Sequence, residues 1–164
     1  MEIIDDFLPQ KQYQAIKDLF FGGRVLWKYA DSKTKQLRGT NLEHYNWQFV
    51  HMIYKDYERR SEYFDEIMPI LNIIKPFALN RIKANCQPRA DRIIEYALHN
   101  DVSPHKGYTG VFYLNTCNGY TVFEDGRKVE SVDNRLLKFD GNLKHAGSSV
   151  TDAQRRIVIN LNWV

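Results

Sequence analysis

From Leu79 onward the sequence changes period and reads as short apolar stretches separated every few residues by turn signals. A period of two belongs to strands, whose side chains alternate between two faces. The candidate strands are Leu79 to Cys86, Arg92 to His99, Gly107 to Leu114, Thr121 to Glu124, Arg127 to Val132, Arg135 to Phe139, Lys144 to Ser148 and Arg156 to Trp163. Between them stand Gln-Pro-Arg-Ala-Asp, Asn-Gly, Glu-Asp-Gly, Asp-Asn and Asp-Gly, residue types that reverse a chain. Strands this short and this many predict a sandwich or a barrel.

The first half reads differently. Ile3 to Phe7 is a short apolar start, expected as a strand. Pro9 opens a helix to about Phe21, with Tyr13, Ile16, Leu19 and Phe20 on one face and Gly22-Gly23 as its stop. Val25 to Tyr29 alternates as a strand, Asp31 to Thr40 is a polar loop, and the aromatic-rich stretch from Tyr45 to Tyr54 fits either state. Arg59 to Lys75 is expected as a helix, with Tyr63, Phe64, Ile67, Met68, Leu71 and Ile74 as its apolar stripe. Two helices ahead of a β-rich half would cover one outer face of the sheet. The expected fold is therefore mainly β with supporting N-terminal helices, an α+β arrangement spanning 1–164 as a single domain.

Composition excludes several classes. A chain of 164 residues that is 43% hydrophobic, with ten Tyr, nine Phe and three Trp, can build a core. No apolar run is long enough to span a bilayer, and MEIIDDFLPQ lacks the basic start of a secretory signal. Cys86 and Cys117 stand apart, so neither a CxxC zinc site nor a disulfide framework is available, and a cytoplasmic setting is expected. The net charge is +3. Lys33, Lys35, Arg38, Arg59 and Arg60 sit among acids, which reads as solvated surface rather than a nucleic-acid face.

The chemistry gathers at a few residues. His99 and Asp101 are two apart at the end of a candidate strand, and so point the same way. His145, beginning a strand after the Asp140-Gly141 turn, is the candidate third ligand. Two His and a carboxylate form the facial triad of non-haem Fe(II) oxygenases, which leaves coordination positions open. Zinc hydrolysis uses similar ligands, usually with a further carboxylate as base. In RIVINLNWV, Arg156, Val158, Asn160 and Asn162 share one face, while Ile157, Ile159 and Leu161 share the other. If the apolar face packs on the helices, Arg156 points into the barrel and needs an anion, either a ligand carboxylate or a protein acid. A bulge in that strand would give the role to Arg155 instead.

The runs RIKANCQPR, His99-Asn100-Asp101, VFYLNT, NGYTVFEDG, NRLLKFDG, LKHAGSSVTD and RRIVINLNWV resemble, in order, the Fe(II)- and 2-oxoglutarate-dependent dioxygenases. The compact prolyl 4-hydroxylase-like members, including those of phages, are the nearest pattern, and EIIDDFLP resembles their usual opening. Residues 24 to 58 match nothing specific. The resemblance implies a double-stranded β-helix, the jelly roll also found in cupins. It implies iron on His99, Asp101 and His145, with 2-oxoglutarate chelating that iron and its far carboxylate meeting Arg156. It also implies that Tyr113 helps hold that carboxylate, and that Asn85 lines the same pocket. A retained Asp101 favours hydroxylation over halogenation. The implied reaction consumes O2, releases succinate and CO2, and hydroxylates a C–H bond, with ascorbate as an assay reductant.

A prolyl residue in a peptide or protein is the implied substrate, with a small amino acid or a nucleobase as alternatives. A non-catalytic, cupin-like metal-binding protein is the competing reading. His44 and His51, flanking Trp47 and Phe49, could belong to a substrate lid or to plain surface. His105 reads as a loop residue. If the chain is phage-encoded, the expected location is the host cytoplasm.

Overall fold

In a computed structural model of the protein, which describes residues 1–33, 40–101 and 107–164, the alternating half of the chain forms antiparallel strands. The elements run β1 (Glu2–Ile4), α1 (Gln10–Phe21), β2 (Lys28–Ala30), β3 (Gln48–Lys55), β4 (Glu58–Arg59), α2 (Met68–Ile74), β5 (Leu79–Pro88), β6 (Tyr108–Tyr113), β7 (Cys117–Phe123), β8 (Lys128–Ser131), β9 (Arg135–Asp140), β10 (His145–Gly147) and β11 (Arg155–Trp163). Among the described residues, one sheet has the order β1-β9-β6-β11-β5-β3-β2, with β4 on β3, and a second has the order β10-β7-β8. The fold is mainly β, a double-stranded β-helix with helices against its larger sheet.

Alternation along β11 organises the interior. Ile157, Ile159, Leu161 and Trp163 join Tyr13, Ile16, Leu19 and Phe20 of α1 in one core between sheet and helices. Each of these α1 side chains is almost wholly buried, worth about 1.5–3 kcal/mol apiece. Val158 points the other way, into a second core with Val111, Tyr113, Phe123, Leu137 and Phe139 inside the barrel. Asn134, at φ 57°, ties the N-terminal segment down. Its side chain accepts from Leu8 N–H at 3.0 Å and donates to Leu8 C=O at 2.8 Å.

The helix expected over 59–75 is shorter and divided. Glu62–Ile67 is a 3-10 segment, opened by Ser61, whose Oγ accepts from the Tyr63 N–H at 3.0 Å. It passes into α2 at Pro69, which has no N–H to give the carbonyl of Asp65; that carbonyl takes the Met68 N–H instead. Arg59 belongs to β4.

The strand expected from Arg92 to His99 is absent as a continuous element: only the isolated bridges Glu95↔Ser148 and His99↔His145 form there. Ser149 explains the interruption, since its Oγ takes the Ile94 N–H at 2.8 Å and displaces a ladder bond. The strand read over Val25 to Tyr29 starts later, at Lys28, and the aromatic stretch from Tyr45 resolves into a 3-10 turn (Glu43–Tyr45) followed by β3. Most of the loop read over Asp31 to Thr40, with Lys35 and Arg38, lies outside the described residues, as does His105. Cys86 and Cys117 are buried free thiols. Among the described residues no helix is long and apolar enough to cross a membrane.

Candidate functional site

His99 and His145 face each other across a single antiparallel bridge. The His99 N–H donates to the His145 carbonyl at 2.9 Å, and the His145 N–H returns to the His99 carbonyl at 3.0 Å. This exchange puts both imidazoles on one side of the pair, with ring centroids 4.8 Å apart. Each ring is then aimed by its own backbone. His99 Nδ1 lies 3.2 Å from the Ala97 carbonyl, and His145 Nδ1 lies 3.0 Å from the Leu143 carbonyl. A carbonyl can only accept, so both Nδ1 atoms carry the proton and both Nε2 lone pairs are free to bind a metal. Burial, and next the charge of His145, hold the His99 pKa below its ordinary value, which keeps the ring neutral as a ligand must be.

Asp101 completes the group. Its Oδ1 is 3.7 Å from His99 Nε2 and its Oδ2 is 3.5 Å from His145 Nε2. The ligand atoms of His99, Asp101 and His145 all lie within 4.8 Å of one another. Burial acts to raise the Asp101 pKa, but the contact with His145, where that ring is protonated, and the charge of Arg81 outweigh it and hold the carboxyl well below its usual range. Arg81 Nη2 donates to Asp101 Oδ1 at 2.9 Å, while Asn162 Nδ2 approaches Oδ2 at 3.3 Å and Thr109 Oγ1 at 3.1 Å. Arg81 Nε also donates to Asn162 Oδ1 at 3.1 Å. A histidine–histidine–carboxylate set with oriented rings and a fixed carboxylate suits a divalent first-row metal and leaves one side of that metal open to the cavity.

That cavity, of about 250 Å³, runs between the two sheets. Pairing of β5 with β11 sets its wall: Arg81 opposite Asn162, Lys83 opposite Asn160, Asn85 opposite Val158 and Gln87 opposite Arg156. Arg156 is 6% exposed and its guanidinium lies 5.5 Å from the centre of the Tyr113 ring. Arg156 Nε and Nη2 are buried with no hydrogen-bond partner among the described residues. Arg155 points out of the barrel, donating to the Phe21 carbonyl at 3.0 Å. Tyr113 is fully buried and its hydroxyl pairs with Thr121 Oγ1 at 2.8 Å. Asn85 lines the cavity with Oδ1 unpartnered. The chain thus brings His99, Asp101, His145, Arg156 and Asn85 onto one cavity, with Tyr113 behind Arg156.

Gly119 makes the corner in which Arg156 sits. A Cβ there would lie 2.6 Å from Arg156 Cδ and 2.9 Å from the Ser149 carbonyl oxygen. Gly119→Ala is therefore expected to destabilise the fold by roughly 1–3 kcal/mol, read as a lower urea midpoint. An unchanged midpoint would mean that the corner can relax.

Several residues of the site carried no signal in isolation. Lys33, grouped in the sequence with solvated basic residues, buries its Nζ against Tyr96 in this cavity. Arg81, Lys83 and Gln87 alternate with Ile82, Ala84 and Cys86 in RIKANCQP, so the period of two could have marked them as one inward polar face. Neither His44 nor His51 lines the cavity. His51 bonds the Leu26 carbonyl and Ser61 Oγ on the helix side of the sheet.

No protein-family model matches the chain, and no curated protein matches it in sequence. Solved structures do match it. The chain's fold, a double-stranded β-helix, is shared by solved structures of Fe(II)/2-oxoglutarate (2OG) oxygenases. A prolyl hydroxylase from Trichoplax adhaerens, solved with a peptide fragment of the hypoxia inducible factor oxygen degradation domain, superposes with a TM-score of 0.65 at 17% identity, covering 99% of this chain and 82% of that one. The viral collagen prolyl hydroxylase of Paramecium Bursaria Chlorella virus-1, in its 2OG complex, gives 0.58 at 16%, covering 99% and 94%. The non-heme alpha ketoglutarate dependent epimerase SnoN gives 0.67 at 10%, covering 99% and 75%.

Proposed function

We propose that this protein is an Fe(II)- and 2OG-dependent dioxygenase that hydroxylates a prolyl residue of a peptide or protein. The observation that carries the reading is the pairing of two features on one cavity: a metal-competent triad, and across from it a buried guanidinium whose Nε and Nη2 have no partner among the described residues. A buried cation without an anion is costly, so the lining of this cavity favours an anionic ligand. A dicarboxylate that chelates a metal at one end and pairs with Arg156 at the other satisfies both demands.

His99, Asp101 and His145 would hold the iron. Bound there with 2OG, it would supply oxidative decarboxylation to succinate and CO2 coupled to oxygen insertion into a C–H bond. The protein's own work is positional. Arg81 and Asn162 keep Asp101 fixed as a ligand, the Ala97 and Leu143 carbonyls keep both rings in the ligating tautomer, and Arg156 with Tyr113 orients the cosubstrate. Phe123 and Phe139 pack beside His145 and exclude water from that side. Asp101 is the sole acid lining the cavity among the described residues, and as a ligand it leaves no carboxylate to serve as the base of a zinc hydrolase.

The prolyl substrate is supported by the prolyl hydroxylases among the structural neighbours, one of them holding a peptide. A second reading, a small carboxylate-bearing amino acid, is favoured by Lys83. This residue faces the cavity one strand rung from Arg81, without an ion-pair partner among the described residues. The test is succinate release from 2OG with Fe(II), ascorbate and O2, in the presence of proline-rich peptides, free amino acids or neither. Peptide-stimulated succinate with a peptide mass increase of one oxygen supports the first reading. Stimulation by a free amino acid alone moves the assignment to the second. Neither succinate nor joint binding of Fe(II) and 2OG would sink the oxygenase reading.

A further inference from the structure

Lys33 belongs to neither core and to no part of the metal site, and the residue is only half-buried, yet its Nζ is buried. Its ammonium lies 3.2 Å from the centre of the Tyr96 ring, and Nζ has no hydrogen-bond partner among the described residues. A lysine in a polar segment ordinarily stretches its stem over the surface and leaves the charge in water. Here the backbone prevents that. The Lys33 N–H donates to both the Asn46 carbonyl and Asn46 Oδ1, each at 3.1 Å, and Asn46 Nδ2 donates to Ser32 Oγ at 3.2 Å. Asn46 is itself 1% exposed, so the residue is clamped with its side chain directed inward.

At the same end of the cavity are Arg156 Nε and Nη2, the Tyr96 hydroxyl and Gln87 Oε1, all buried and all unpartnered among the described residues. Polar groups left without partners on several separate elements of the chain define the outline of a missing ligand. Hydrogen-bond donors dominate that outline and the Arg156 guanidinium among them is permanently charged, so the ligand group is an anion. Asp101 cannot serve, because Arg81 already holds it.

We propose that Lys33 is a second cation of the distal-carboxylate site of 2OG, closing on that carboxylate opposite Arg156. This inference rests on the oxygenase reading and adds a positioning residue from the segment between β2 and β3 to a site otherwise built from the barrel. It carries a proton linkage. Among protein groups alone, burial, and next the charge of Arg156, push the Lys33 amine down to about 6, so at neutral pH it is mostly uncharged. A bound carboxylate favours the ammonium, and the amine takes a proton from the buffer as the ligand enters. Among the described residues, the charged and titratable groups facing Lys33 are Arg156 of β11 and Tyr96, whose hydroxyl burial raises further from neutrality. Gln87 and Gln48 on the same cavity wall are uncharged. Lys83, the Arg81–Asp101 pair and the two histidines lie further along the cavity.

The test is calorimetric titration of 2OG into anaerobic Mn(II)-loaded protein at about pH 7.5, in buffers of different ionisation heat, so that bound protons are counted without turnover. The wild type is expected to take up close to one proton more per 2OG than Lys33→Met. That variant should bind 2OG about tenfold or more weakly. Lys33→Arg, permanently charged, should keep most of the affinity and lose the proton uptake, which also guards against a Met variant that merely misfolds. Wild-type affinity and proton count in Lys33→Met would overturn the assignment of Lys33 while leaving the oxygenase reading standing. Absence of 2OG binding in the wild type itself would overturn both.

Discussion

Asp101→Ala should abolish metal-linked stabilisation. A ligand that binds only the folded chain stabilises it by about 2.7 kcal/mol when present at 100 times its Kd. Thermal unfolding of the wild type with Fe(II) under argon, or with Mn(II), should therefore shift upward by the equivalent of that energy. Asp101→Ala should show no shift at the same metal concentration, because His99 and His145 alone offer two neutral donors and no charge. The loss in affinity should exceed the 10- to 100-fold typical of outer residues that merely orient ligands. Arg81→Met, which leaves the ligands in place but frees the carboxylate from its 2.9 Å partner, belongs in that smaller range. An Asp101→Ala protein that still gains stability from the metal would remove the carboxylate from the ligand set.

Arg156→Met should separate function from stability in opposite directions. Loss of a charged partner from a buried pair typically costs 2–5 kcal/mol of binding, about 30- to 4,000-fold in 2OG affinity. The empty protein should respond the other way. Arg156 Nε and Nη2 are buried without partners among the described residues, and the Tyr113 ring lies 5.5 Å from the guanidinium. Methionine fills similar apolar space without an unsatisfied cation, so the ligand-free variant should be as stable as the wild type or more stable, by about 1 kcal/mol. Urea denaturation of both proteins without ligand, set beside 2OG titrations, reads the two effects. An Arg156→Met protein much less stable than wild type would make this arginine a structural element of the barrel instead of a ligand anchor.

Alternation alone marks most of the residues that line the candidate site. RIVINLNWV separates an apolar face from Arg156 and the asparagines, and β11 buries Ile157, Ile159 and Leu161 toward α1 while Arg156 lines the cavity. A strand has only two faces, so a local pattern is enough to tell in from out. The same reasoning paired His99 with Asp101, although the geometry that brings them together is a lone bridge to His145 and not the continuous strand expected there. Local pattern failed where partners lie far away in sequence. Ser149 interrupts the pairing of residues 92–99, and Pro69 divides a stripe that looked like one helix.

By itself, then, the sequence determined the alternation, the turns, the apolar stripes and the chemical types of the ligands, because each is written in neighbouring residues. The tertiary structure alone decided what those groups face. Arg81 becomes the partner of Asp101 only when the segment following the His99–His145 bridge lies against β5. Lys33 changes from a surface charge into a buried amine only when Asn46 and Tyr96, distant in the chain, close around it. Solvation and charge pairing depend on every group within a few ångströms, and that neighbourhood exists only once the barrel has closed.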